Sequence, residues 1–159
     1  MKKILVVLTA CVLVLTLVAC GSGKAKSLDL DRARKEIESL KSYPSLMEPN
    51  DTEMKDVYGI DSSLISKKAV GIPMMNVHSS MYWLVLAKDS TSADTLKTQF
   101  ASYFKGYQEM WDSYLPDQAE LVRNRLETTY DTEEGTWLLY AIGEDTAAVK
   151  KAVEDALVK

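Results

Sequence analysis

Cysteine is nearly missing from this chain: Cys11 and Cys20 are the only two, and none follows residue 20. Beyond that point no disulfide within the chain, no thiolate metal site and no cysteine nucleophile can form. Histidine is scarcer, with His78 alone. Without a cysteine partner or H-x-x-x-H spacing, zinc sites and histidine-centred triads lack their groups. Next to Ser79 and Ser80 the imidazole reads as a turn residue, because a Ser-His pair there has no third group to orient the base. The seven glycines include neither G-x-G-x-x-G nor G-x-x-x-x-G-K-[ST], so a glycine loop that cradles nucleotide phosphates is absent.

What is present divides unevenly. Of 159 residues, 47% are apolar and 26% charged, the makeup of one ordinary globular domain plus an extra segment. Ile4 to Ala19 contains no charged residue and follows Lys2 and Lys3 directly. A basic start and an apolar run are the layout of an export signal, and the run falls short of the roughly twenty apolar residues a spanning helix needs. Residues 1–19 are therefore expected to be a signal peptide. Without Lys2 and Lys3 the chain carries 17 basic against 23 acidic residues, a formal net charge of −6. Such a surface repels nucleic acid and anionic lipid head groups.

Leu17-Val18-Ala19-Cys20 resembles the lipobox of bacterial lipoproteins. By that resemblance Cys20 is expected to carry a diacylglyceryl thioether and to become the mature N-terminus, which makes the membrane a partner through the lipid. Leu8-Thr9-Ala10-Cys11 has a similar pattern, but cutting there would leave an apolar region of only about seven residues. The alternative is an ordinary signal peptide with Cys20 as a free thiol or a buried small residue. Residues 20–27, small and basic, form the expected leash, and residues 28–159 a single domain on the extracytoplasmic face.

Within that domain, Leu30, Ala33, Ile37 and Leu40 recur at helical spacing, with Ser27 or Asp29 as cap and Pro44 as stop. A short helix is expected from Asp51 to Val57, closed by Gly59. Extended chain follows over 67–77, although Gly71 and Pro73 mark an edge or a bulge. Met81 to Ala87, MYWLVLA, is the best central strand. Ser92 to Tyr114 reads as the longest helix, with Leu96, Phe100, Tyr103, Phe104, Tyr107, Trp111 and Tyr114 on one wide stripe. After Pro116 a further turn to Asn124, an extended stretch 125–130, a turn 131–135, a strand 137–142 and a closing helix 144–158 complete the pattern.

Two stretches share one plan: Trp83 matches Trp137, Leu84 matches Leu138, Phe100 matches Val153. The expected fold is α+β, a four-stranded antiparallel sheet made from two ββα units, with two long helices on one face and one or two helices before it.

Carboxylates gather near Pro116 (Asp112, Asp117, Glu120) and at a turn (Asp131, Glu133, Glu134). Neither set has the D-x-[DN]-x-[DN]-G loop of calcium sites, and helix ends and turns explain both. No metal and no cofactor are expected. Helical spacing favours core for the aromatic stripe, yet seven large side chains exceed what a narrow core stripe needs, so ring surface near Trp111 and Tyr114 is a candidate partner surface, with Gln118 beside it.

Tyr58-Gly59-Ile60-Asp61, Tyr107 to Leu115 leading into Pro116-Asp117-Gln118, and Leu121-Val122-Arg123-Asn124 together resemble the domain of unknown function 4358 family, over roughly residues 45–157. The resemblance implies a small exported domain, often lipid-anchored, without an assigned activity or catalytic residues. Read from the residues alone, Gly59 caps a helix with positive φ, Ile60 docks back, Asp61 caps the next turn, and Gln118 and Asn124 satisfy backbone groups. The expected function is a non-enzymatic, membrane-tethered binding or protein-interaction domain whose partner is an envelope protein or wall component. The alternatives are an envelope hydrolase using Asp112 and Glu120, or an inhibitor-like domain that blocks a secreted enzyme.

Overall fold

The computed structural model describes residues 23–43 and 45–159; the expected export segment and Cys20 lie outside them. In chain order the elements are β1 (Ser27–Leu28), α1 (Leu30–Glu38), β2 (Leu46–Met47), α2 (Asp51–Asp56), a 3-10 turn (Ser62–Leu64), β3 (Ile65–Pro73), β4 (Met81–Ala87), α3 (Ser90–Asp112), α4 (Pro116–Arg123), β5 (Leu126–Thr132), β6 (Gly135–Ile142), α5 (Thr146–Asp155) and β7 (Leu157–Val158). Five strands pair antiparallel in the order β2-β3-β4-β6-β5, and β1 pairs with β7 in a separate ribbon.

The local chemistry explains where helices begin. Asp29 accepts the Arg32 amide and starts α1, Asp89 accepts the Ser92 amide and starts α3, and Asn50 forms a reciprocal capping box with Glu53 at α2. Gly59 takes φ +68°, which lets the Ile60 amide reach back to the Met54 carbonyl at 2.8 Å and seats Ile60 fully in the core.

The α+β class holds, but the sheet has five strands where four were expected, because Leu46 and Met47 add to the outer edge of β3. Helices also cover both faces rather than one. Every residue of β4 is buried, with Met81, Trp83, Val85 and Ala87 packed under α3 and α4, and Tyr82, Leu84 and Leu86 packed under α1 and α5. An uninterrupted apolar strand has two apolar faces, and each needs a cover. A one-faced arrangement would leave Tyr82, Leu84, Trp137 and Leu139 in water at about 1.5–3 kcal/mol for each side chain.

This sandwich also decides the apparent repeat. From β3-β4-α3 to β5-β6-α5 the inner strand reverses direction, its hairpin partner changes side, and the helix changes face. Reversing three axes at once is an inversion, so no rotation superposes the two units. The likeness in sequence is a likeness of apolar patterning.

The two ends of the described chain are clamped together. Lys26 N–H donates to Val158 O at 2.8 Å, Asp29 N–H to Ala156 O at 2.9 Å and Glu133 N–H to Ala25 O at 2.9 Å. Ala25 bridges Thr132, so the expected leash is already paired over its last three residues.

Candidate functional site

The aromatic stripe of α3 is core at one margin and surface at the other. Leu96, Phe100, Phe104 and Trp111 are buried, whereas Tyr114 is 58% exposed. Tyr103 and Tyr107 lie between, partly covered. Ring contacts run outward without a gap: Phe100 stacks on Tyr140 at 4.3 Å and meets Trp83 at 5.4 Å, Tyr103 meets Tyr107 at 5.4 Å, Tyr107 meets Trp111 at 5.9 Å, and Trp111 meets Tyr114 at 5.8 Å. Such pairs add about 0.5–1.5 kcal/mol beyond their buried area, which stiffens the stripe from the sheet to the surface.

At its outer end the stripe forms one wall of a groove of about 680 Å³. The opposite wall is the β3-β4 connection with Met75 and His78, Tyr58 closes one side, and Met81 lies on the floor. A more open cleft of about 820 Å³ continues past Tyr58 along the end of α2. Volumes of roughly 300–1,000 Å³ suit small ligands or a few residues of a peptide. Six of the eight large apolar side chains exposed among the described residues belong to this region: Val57, Met74, Met75, Val77, Met110 and Tyr114.

The groove is neutral and rich in donors. Burial raises the Tyr103 phenol well above its ordinary range and pushes Tyr107 to about 12. Tyr58 is raised too, first by burial and then by the Glu53 charge. These hydroxyls stay protonated at physiological pH but find weak acceptors: Tyr103 reaches the Met81 sulfur at 3.7 Å and Tyr107 the Ser79 carbonyl at 3.4 Å. The buried Trp111 indole N–H has no well-formed hydrogen bond. It faces the Tyr107 oxygen and opposes part of the rise in that phenol.

The structure therefore separates the expected surface residues. Tyr114 is open to a partner, Trp111 is 2% exposed and supports it from beneath, and Gln118 is occupied otherwise. Its Oε1 accepts the Ser79 amide at 2.8 Å and the Ser79 hydroxyl at 3.0 Å, fixing the buried turn that leads into β4. Sequence reading missed Tyr58 and the methionines of the β3-β4 connection. The exposed pair Met74-Met75 after Pro73 was the available signal.

Three of the carboxylates singled out have partners of their own. Asp112 is ion-paired with Arg123 and accepts from Gln108 at 2.8 Å, while Asp131 accepts from Thr136 and Glu134 pairs with Lys67, both at 2.7 Å. Among the described residues no three His, Cys, Asp or Glu side chains are grouped to hold a metal ion, and no helix is long and apolar enough to cross a membrane.

A family model described as a domain of unknown function (DUF4358) matches residues 38–134, a span that contains both walls of the groove. No curated protein and no solved structure matches the chain.

Proposed function

The chain belongs to the DUF4358 family, and on that premise we propose that it is an extracytoplasmic lipoprotein, held to the membrane through Cys20, that binds a partner non-enzymatically in the groove between α3 and the β3-β4 connection. The observation that carries this reading is that exposed Met75, Met110 and Tyr114 line one aromatic-walled groove, with exposed Met74 and Val77 on the connection that forms its far wall and Val57 on the adjoining cleft. Contiguous apolar surface of that kind marks an interaction site.

The tether supports the same reading. Ala25 sits beside Thr132, at the end of the sheet occupied by the β5-β6 turn, whereas the groove opens at the opposite end, where β3 leads into β4. The few residues between Cys20 and Ala25 reach at most roughly 17 Å. An anchored domain standing on that end presents its groove away from the bilayer, toward wall or envelope components. Confinement near the membrane raises the effective concentration for such a partner.

Two experiments test the proposal. Cys20→Ala protein is expected in the medium, and retention in the membrane fraction at the wild-type level would remove the anchor. A photo-crosslinker at position 110 is expected to give an envelope adduct that Tyr114→Ser abolishes. Equal adducts from position 158, in the β1-β7 ribbon beside the tether, would remove the groove.

A further inference from the structure

We propose that the mouth of the groove is also a site for a soft monovalent cation, Cu(I) or its analogue Ag(I), held by the thioethers of Met75 and Met110 and the imidazole of His78. Of the six methionines among the described residues, Met75, Met81 and Met110 line the groove and Met74 adjoins it, and the chain's single histidine joins them. Scattered methionines would be ordinary. Their concentration around the one imidazole is not explained by packing, since Met74, Met75 and Met110 are 64%, 53% and 50% exposed.

The sulfurs differ in what they already do. Met81 accepts from Trp83 Nε1 at 3.3 Å and Met54 from Lys68 Nζ at 3.1 Å, whereas no hydrogen bond reaches the sulfur of Met75 or Met110 or the His78 ring among the described residues. The His78 amide donates to the Met75 carbonyl at 3.3 Å, a tight turn that sets these two side chains on one short loop. Met110 faces them from α3 across the groove. Unbranched thioethers with three rotatable bonds can adapt to a shared ion.

Donor chemistry selects the ion. Thioether sulfur is soft and neutral, so it favours Cu(I) over zinc, magnesium or calcium, and imidazole suits copper as well. No carboxylate lines this groove, which removes the ligand that hard divalent ions need. The ion enters and leaves as the monovalent species, so the site requires no electron transfer. The ion shares the groove with the proposed partner, but its binding is read without that partner, so failure of one reading is distinguishable from failure of the other.

The test uses the full chain with Cys11→Ser and Cys20→Ser, so that no thiol competes, in detergent and with methionine methyl groups labelled for NMR. Ag(I) is expected to bind at one equivalent and to shift the methyl signals of Met75 and Met110, while Met47, exposed on β2, stays in place. Met75→Leu with Met110→Leu, near-isosteric changes that keep the fold, is expected to weaken binding at least tenfold, and His78→Gln to weaken it as well. Equal shifts at Met47, or an affinity within twofold of the parent in the double variant, would overturn the proposal.

Discussion

Trp83 and Trp137 hold matching places in two similarly patterned strands, yet they lie on opposite faces of the sheet, one under α3 and the other under α5. Both are fully buried. The sheet between them separates the interior into two cores that share strands but not side-chain contacts.

Substitutions in the two cores are therefore expected to act independently. Trp83→Phe and Trp137→Phe should each cost of the order of 1–3 kcal/mol, and the double variant should equal their sum within about 0.5 kcal/mol. Urea denaturation of the four proteins measures this. A coupling well above that margin would show the two indoles sharing one cavity.

Gly71 is expected to resist any side chain. A Cβ there would lie 2.5 Å from Tyr82 Cε1 and 2.6 Å from a Leu46 methyl, and Tyr82 is held by its hydroxyl donating to Glu38 at 2.7 Å. Gly71→Ala should destabilise by about 1–3 kcal/mol, the usual cost of overpacking, and should loosen β2 first. Hydrogen exchange at Leu46 and Met47 would report it. Gly106, where an added Cβ meets nothing within 4 Å, is the control whose change to Ala is tolerated.

Gln118 and Tyr114 should part company. Gln118→Ala strands the buried Ser79 amide and is expected to cost about 1–3 kcal/mol, seen as a lower Tm. Tyr114→Ser should leave Tm within the range of ordinary surface changes, roughly 0.5 kcal/mol, while lowering partner capture. Equal losses of stability would mean that Tyr114 belongs to the core.

Alkali should unfold the domain. Burial raises the phenols of Tyr43, Tyr82 and Tyr103 strongly and those of Tyr107, Tyr130 and Tyr140 to about 12. The unfolded chain releases these protons near pH ~10, so the folded state binds more protons above that value, and stability falls as pH rises from there through 12. Phenolate absorbance is expected to rise together with loss of near-ultraviolet circular dichroism. Ionisation of these tyrosines before the fold is lost would contradict the assigned burial.

Much of the architecture is legible in short-range chemistry. Asp29, Asn50 and Gly59 mark helix ends by hydrogen bonds that span three or four residues, and Met81 to Ala87 announces a buried strand by composition. The β2 strand was not legible, because two residues carry no periodicity and owe their place to the edge of β3. The groove was half legible: helical spacing showed Trp111 and Tyr114 on one stripe, but the wall that faces them comes from a connection more than thirty residues earlier.

The order of residues by itself determined the export-like start, the Cys-free domain, the helix caps and the apolar strands, since each depends on neighbours along the chain. Tertiary structure alone decided that both sheet faces are covered, that the two ββα units differ in hand, and that thioethers, an imidazole and an aromatic stripe share one groove. The physical reason is that apolar patterning says how many faces must be buried, whereas the helix that buries each face depends on chain direction and crossover handedness.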